Sequence, residues 1–146
     1  MMNTLTILFL VALAAMLITE LWLGRRQILS VRQHRDAVPG AFSEQIDLAT
    51  HRKAADYTIA RTRLGLISGF YSAAILLMFT LGGGLQQIDD LSRQWLENPL
   101  LTGVVFIVLT IIIGAVLDLP FTLYKTFGLE ARFGFNKTTP GLYITD

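Results

Sequence analysis

The chain has no cysteine and few charged residues, and both shortages narrow the class of protein. The absence of cysteine excludes disulfide bonds and thiolate metal sites. Only 16% of the 146 residues are charged, whereas a soluble domain usually carries about a quarter. The net charge is only +1, and the sequence contains no basic stripe of the kind that binds nucleic acid. The composition therefore argues against a nucleic-acid-binding protein and against an ordinary soluble domain.

Histidine is also scarce, which limits the metal chemistry that the chain can perform. The only two, His34 and His51, lie in a polar segment and belong to no H-E-x-x-H motif, the usual pattern of a hydrolytic zinc site. The sequence also contains no nucleophile elbow and no Walker loop. It therefore assigns no catalytic residue and no metal ligand, and the two histidines are interpreted as solvated loop residues.

Apolar residues make up 53% of the chain and are concentrated in three blocks. A helix of about 20 residues is as long as the hydrocarbon core of a bilayer is thick, about 30 Å. The blocks therefore predict transmembrane helices at residues 3–23, 64–85 and 100–119. The first is interpreted as a retained span, because no Lys or Arg precedes it and Arg25 and Arg26 follow it in place of a cleavage site.

Local signals refine the second and third spans. Three consecutive glycines at 82–84 are expected to unwind or closely pack the end of the second helix. Asn98 and Pro99 form a helix-start signal ahead of the third. Pro120 is expected to kink that helix, which runs on toward Tyr124.

The charges of the polar segments predict the orientation. Residues 24–63 hold eight Lys or Arg against four acids, whereas residues 86–99 hold one Arg against three acids. Positive loops stay in the cytoplasm, so 24–63 is predicted to be cytoplasmic and 86–99 to be an extracytoplasmic loop. The N-terminus is then outside and the tail, residues 120–146, inside. The second half of 24–63 is expected to form a surface helix that leads into the second span.

Two acids interrupt the apolar blocks. A carboxylate near the middle of a span costs about 2.5–3.5 kcal/mol on insertion scales, so it usually faces protein or water. Glu20 and Asp118 both lie toward the predicted cytoplasmic ends of their helices. Each could snorkel or pair with a nearby cation, or each could line a polar cavity. Asp118 is the better functional candidate, because Pro120 frees backbone carbonyl groups beside it.

The segment after the third span mixes aromatic and charged residues. Five aromatic side chains alternate with Lys125, Glu130, Arg132 and Lys137. This mixture is typical of a helix that leaves the bilayer and folds along its interface. The residues alone therefore predict an amphipathic interfacial tail of unassigned purpose.

This tail resembles the N-terminal membrane region of the type I CAAX prenyl proteases, which are integral-membrane zinc metallopeptidases. The family pattern is close to L-P-F-x-x-Y-x-T-F-x-x-E-x-[RK]-[FY]-G-F-N-[KR]-[TS]-T. The matching residues are Leu119, Pro120, Phe121, Tyr124, Thr126, Phe127, Glu130, Arg132, Phe133, Gly134, Phe135, Asn136, Lys137, Thr138 and Thr139. The family often has a second Glu where this chain has Ala131. Residues 57–63 also look like the segment before the family's second span.

The resemblance implies an all-helical, multi-span protease that encloses an intramembrane chamber and binds zinc through H-E-x-x-H and a downstream glutamate. None of these zinc ligands occurs in this sequence. The chain therefore looks like a single N-terminal membrane domain over residues 1–146 that forms scaffold and chamber wall. It would hold no cofactor, and zinc would belong to the full-length enzyme. The residues expected to line the chamber or contact the next domain are Asp118, Glu130, Arg132, Asn136 and Lys137.

The implied partners are the lipid bilayer, the remaining spans and catalytic domain of the parent protease, and a peptide substrate that can be lipidated. The membrane would be a bacterial inner membrane, or that of the endoplasmic reticulum in a eukaryote. Two other functions remain open: a self-standing interaction or regulatory subunit with the same fold, and a small oligomeric carrier or channel built around Glu20 and Asp118.

Overall fold

The regular structure of the chain is helical throughout the described residues. The computed structural model describes residues 3–40, 46–96, 98–136, 138 and 141. Three helical segments in these ranges are long and apolar enough to cross a membrane: Thr4–His34, Leu48–Thr80 and Pro99–Glu130. This confirms the prediction of an all-α polytopic membrane protein with about three spans.

Helix α1 comprises Thr4–His34. It begins where the side chain of Asn3 accepts a hydrogen bond from the Leu5 backbone N–H at 3.3 Å, which satisfies one of the free donors of the first turn. The helix extends 11 residues beyond the predicted span 3–23. The next residues include several strong helix formers, Arg, Gln and Leu, so the helix continues where the apolar block stops.

Helix α2 comprises Leu48–Thr80, and it includes both the helix expected before the second span and most of that span. At its start, an Asp47 carboxylate oxygen accepts a hydrogen bond from the Thr50 N–H at 3.2 Å. Hydrogen bonds from the side chain and backbone of Thr50 hold the pKa of Asp47 below its usual value. The ionised carboxylate therefore caps α2.

Helix α2 ends at Thr80 and the three glycines follow it, which confirms the prediction that they unwind or closely pack the helix end. A Cβ on Gly82 would lie 2.5 Å from the Met78 carbonyl oxygen, and Gly83 has a φ of +80°. The chain then forms helix α3, Gly84–Trp95, where residues 86–99 were expected to be a loop. Ile88 and Ser92, one turn apart, are buried, so α3 has one buried face despite its polar composition.

Helix α4 comprises Pro99–Leu123, and its start confirms the helix-start signal. The Asn98 side-chain oxygen accepts a hydrogen bond from the Leu100 N–H at 2.9 Å, and Pro99 occupies the first helical position. Pro120 lies inside α4, which ends three residues later. A π-helix, Tyr124–Glu130, follows directly.

The chain forms two compact units, one of Met1–Phe70 with Tyr124–Asp146 and one of Tyr71–Leu123. In the first unit, α1 and the N-terminal part of α2 pack antiparallel. A Cβ on Gly24 would lie 3.0 Å from Leu66 Cδ1, and one on Gly69 would lie 2.9 Å from the Glu20 carboxylate. Small residues thus allow close approach of the two helices. The assignment of residues 1–146 to a single domain stays a prediction.

In the second unit, α3 packs on α4. Ser92 is fully buried and donates a hydrogen bond to the Ile88 carbonyl oxygen at 2.7 Å. The Tyr71 hydroxyl donates to the Leu117 carbonyl oxygen at 3.1 Å, and its ring lies 4.8 Å from the Phe121 ring. These contacts anchor α4 in the two turns around Pro120.

Most large apolar side chains of the spans are exposed. Leu5 of α1 is 71% exposed and Leu100 of α4 is 77% exposed, and many other aliphatic residues share this property. A soluble chain would not tolerate apolar surface on this scale. The exposed surface fits contact with lipid or with further transmembrane helices.

Candidate functional site

The tail after the π-helix packs against α2 through an aromatic cluster within the first unit. The Tyr57 ring lies 5.6 Å from the Phe133 ring, edge-on, and 4.8 Å from the Phe135 ring. Both distances fall in the range preferred by interacting aromatic pairs. Lys53 Nζ lies 5.6 Å from the centre of the Phe135 ring and adds a cation–π contact. One face of α2 therefore holds the tail in a defined position.

The backbone of the tail reverses just after the π-helix. The Glu130 carbonyl oxygen accepts hydrogen bonds from the N–H groups of Phe135 at 2.8 Å and Asn136 at 3.2 Å. This closure requires the left-handed conformation of Gly134, whose φ is +70°. The Asn136 side-chain oxygen then accepts from the Thr138 N–H at 2.7 Å. Together these hydrogen bonds stabilise the turn in the segment that carries Glu130 and Arg132.

A bidentate ion pair joins α2 to the residue that follows α1. Arg35 donates from Nε and Nη2 to the two carboxylate oxygens of Asp56, both at 2.8 Å. The planar guanidinium matches a carboxylate in this geometry. The hydrogen bonds to Asp56 hold the pKa of Arg35 above its usual value, so the side chain stays charged. Arg35 also contacts Asp36 at 3.3 Å.

Beside this ion pair lies a cavity of about 460 Å³ in the first unit. The wall includes four arginines, Arg32, Arg35, Arg63 and Arg132, and a single carboxylate from Asp56. Apolar atoms of Ile59, Ala60 and Phe133 complete the lining. The cavity is therefore strongly basic, with an apolar side formed partly by the aromatic cluster.

Three of the site residues expected from the sequence lie in one short segment of the structure. Glu130, Arg132 and Asn136 all lie in the tail of the first unit, and Arg132 also lies 5.9 Å from the centre of the Phe133 ring. The Asn136 side chain is occupied within the turn. Lys137 lies outside the described residues. Whether these side chains line a chamber stays a prediction.

Asp118 belongs to the second unit. It lies on the wall of a largely apolar cavity of about 330 Å³, together with Thr80 and Thr110. Both threonine hydroxyls donate to carbonyl oxygens one turn back in their own helices, at 2.6 Å and 2.8 Å. The Asp118 carbonyl oxygen accepts from the Thr122 hydroxyl at 3.2 Å. Asp118 thus adds an acidic residue to a cavity whose nearby threonine hydroxyls are already hydrogen-bonded.

The two histidines lie near each other without forming a metal site. His51 Nε2 is 2.9 Å from the His34 carbonyl oxygen, and His34 Nδ1 is 2.8 Å from the Ser30 carbonyl oxygen. Among the described residues, no three His, Cys, Asp or Glu side chains gather where a metal ion could bind. The donors on these parts of the chain therefore do not fit a zinc centre.

Comparison with known proteins connects these features to a family. Residues 27–146 match the family model of the CAAX prenyl protease N-terminal region, described as having five membrane helices. The chain belongs to this CAAX prenyl protease N-terminal family. The resemblance seen in residues 119–139 is thereby confirmed.

Members of the family match nearly the whole chain. It is 29% identical over 136 residues to human CAAX prenyl protease 1 homolog, a match covering 87% of this chain and 28% of the human protein. The Caenorhabditis elegans CAAX prenyl protease 1 homolog is 32% identical over 125 residues, covering 82% of this chain and 27% of that protein. The crystal structure of S. mikatae Ste24p superimposes with a TM-score of 0.80 at 28% identity, covering 92% of this chain and 32% of Ste24p.

The chain thus corresponds to the N-terminal membrane region of CAAX prenyl proteases and spans less than a third of the relatives it matches. Family membership makes it an integral membrane protein. The basic cavity is a feature that the sequence did not reveal, because Arg32, Arg63 and Arg132 are far apart along the chain. The excess of arginine in residues 24–63 was the available signal, but by itself it indicates only orientation.

Proposed function

We propose that this chain is the non-catalytic N-terminal part of a CAAX-prenyl-protease-like zinc metalloendopeptidase, in which it forms scaffold and part of an intramembrane chamber wall. The observation that carries the proposal is the likeness to Ste24p over 92% of this chain. Zinc, its ligands and the hydrolytic chemistry would belong to a later part of the protein. The peptide substrate, lipidated or not, would be bound by the whole enzyme.

The exposed apolar surface supports a scaffold role. Exposed aliphatic residues on α1 and α4, such as Leu100 at 77%, leave much apolar area for further helices to cover. The family model describes five membrane helices, whereas the described residues contain three candidate spans. Further spans would then pack on this surface.

The tail would be the element that meets the catalytic part. The contacts of Tyr57 fix its position, and the turn at Gly134 fixes the path of its backbone. Glu130, Arg132, Asn136 and Lys137 would contact the next domain or line the chamber from this segment. Asp118 would face the chamber from α4. The assignments in the tail rest on the family pattern, and that of Asp118 rests on its place beside Pro120.

The orientation with residues 24–63 in the cytoplasm follows from their excess of Lys and Arg. The N-terminus would then be outside and the tail inside. Cysteines introduced singly at Asn3 and at Gln87 should react with an impermeant thiol reagent from outside intact cells, and one at His34 should not. The reverse pattern would overturn the orientation.

Proteolysis tests the proposal. The native gene product and the 146-residue chain would be purified in detergent, and each given zinc and a C-terminally prenylated peptide. The native product should cleave the peptide, lose activity on chelation and regain it with zinc, whereas the 146-residue chain should be inactive. Zinc-dependent cleavage by the chain alone would contradict a non-catalytic role. A native gene product without zinc-dependent cleavage would favour the self-standing interaction subunit.

A further inference from the structure

The basic cavity carries more positive charge than its one carboxylate can neutralise. Asp56 is engaged by Arg35 in a bidentate pair. Among the residues that the structure describes, Arg32, Arg63 and Arg132 form no ion pair. The four guanidinium groups and one carboxylate of the lining leave a formal charge of +3 around about 460 Å³. Asp36, outside the lining, also contacts Arg35 at 3.3 Å, but its carboxylate is shared with Arg52 at 2.7 Å. Such a cavity attracts anions.

The cavity also lies at a defined depth relative to the apolar spans. Gly24 and Leu66 are in contact where the apolar blocks of α1 and α2 end, and this level marks the edge of the hydrocarbon core. At 1.5 Å per residue, Arg63 lies about 5 Å above this level and Arg32 about 12 Å above it. The polar headgroup layer extends roughly 5–8 Å beyond the hydrocarbon on each side. Arg63 therefore lies in the layer that contains the lipid phosphates, and Arg32 lies just beyond it.

We propose that this cavity binds a phosphate group. Arginine presents paired N–H donors that match phosphate oxygens, and basic pockets between transmembrane helices bind anionic headgroups. Ile59 and Phe133 give the cavity an apolar side suited to the glycerol and first acyl carbons of a phospholipid. The phosphate could belong to an anionic phospholipid or be a free ion. The proposal does not depend on proteolytic function.

Binding of defined probes tests this. The native gene product, purified in detergent and stripped of lipid, would be titrated with dioleoylphosphatidic acid, with dioleoylglycerol as the same lipid without phosphate, and separately with sodium phosphate. Native mass spectrometry would report bound lipid, and calorimetry bound phosphate. The variants would be Arg63→Gln and Arg132→Gln. Arg61→Gln is the matched control, because Arg61 is an exposed arginine of α2 that does not line the cavity.

The wild type should bind phosphatidic acid more tightly than dioleoylglycerol. Loss of one charge-assisted contact should weaken phosphate-dependent binding about tenfold in Arg63→Gln and in Arg132→Gln, and less than about twofold in Arg61→Gln. Thermal melting of each variant would establish that it is folded, and Arg32→Gln, at another arginine of the lining, would replace either variant that is not. Binding of phosphatidic acid alone would identify a lipid site, and equally tight binding of sodium phosphate a free-ion site. Equal weakening by all three variants, or no preference over dioleoylglycerol, would overturn the proposal.

Discussion

The aromatic cluster that holds the tail against α2 depends on one side chain, Tyr57. Replacing it with alanine removes both ring contacts, to Phe133 and to Phe135, while leaving the α2 backbone intact. Tyr57 precedes the apolar part of α2 and is half-buried. The change should therefore act on tail docking more than on membrane insertion.

The expected size of the effect follows from these contacts. Each aromatic pair contributes about 0.5–1.5 kcal/mol, so the two pairs contribute roughly 1–3 kcal/mol. Burial of about half of a large side chain adds about 1 kcal/mol. Tyr57→Ala should therefore make local opening of the tail about 2–4 kcal/mol easier. Since 1.4 kcal/mol is a factor of ten, the open population should rise roughly 30- to 700-fold.

Amide hydrogen exchange measures this opening directly. The N–H groups of Phe135 and Asn136, which donate to the Glu130 carbonyl oxygen, should exchange faster by the same factor in Tyr57→Ala. Tyr57→Phe keeps the ring and is the matched control, so its exchange should stay within a factor of about three of the wild type. Unchanged exchange in Tyr57→Ala would refute the assignment of tail docking to this cluster.

Two other changes test local features of the fold. Gly82→Ala places a Cβ 2.5 Å from the Met78 carbonyl oxygen and should destabilise the chain by about 1–3 kcal/mol, whereas Gly103→Ala in open space should be neutral or stabilising. Thermal unfolding in detergent compares the two, and equal melting temperatures would contradict the steric argument. Asp47 has a folded pKa below its ordinary value of 3.8 because of hydrogen bonds from Thr50. The Asp47 cap therefore contributes its full stability at pH values above 3.8. This contribution is lost as the pH falls through the lower pKa of the folded state. Between about pH 6 and about pH 3, melting of the wild type should fall more than that of Asp47→Asn, and parallel profiles would count against the cap.

The spans could be predicted from sequence because each is a continuous apolar run, whose length can be compared directly with the thickness of a bilayer. The cap at Asn98 and the turn at Gly82 could also be predicted, because each depends on residues that are adjacent in sequence. Helix α3 was missed because polar residues outnumber apolar ones in it, and composition then favours a loop. Its apolar residues, among them Ile88 and Leu91, recur every three or four positions, which is the spacing of a short amphipathic helix.

The site was less accessible to sequence reasoning, because its parts meet only in three dimensions. The family pattern pointed to Arg132 and Asn136, but no local rule places Arg132 beside Arg63 or pairs Tyr57 with Phe135. Arg35 makes its shorter hydrogen bonds to Asp56 and not to its sequence neighbour Asp36, and this choice also depends on how the helices pack. The Arg35–Asp56 pair needs the antiparallel register of α1 and α2, and the other two pairings need the tail to pack on α2; the charge pattern of the chain predicts neither.

The order in which the chain is made has a consequence for its first unit. Tyr57 and Phe135 pack together although 78 residues separate them in sequence. At roughly 5–20 residues per second, Phe135 is synthesised about 4–16 s after Tyr57. Throughout that interval α2 exposes an unpaired aromatic face, and the basic cavity lacks Arg132. The nascent chain therefore presents the Tyr57 ring to insertion factors and lipid before Phe133 and Phe135 can pack on it.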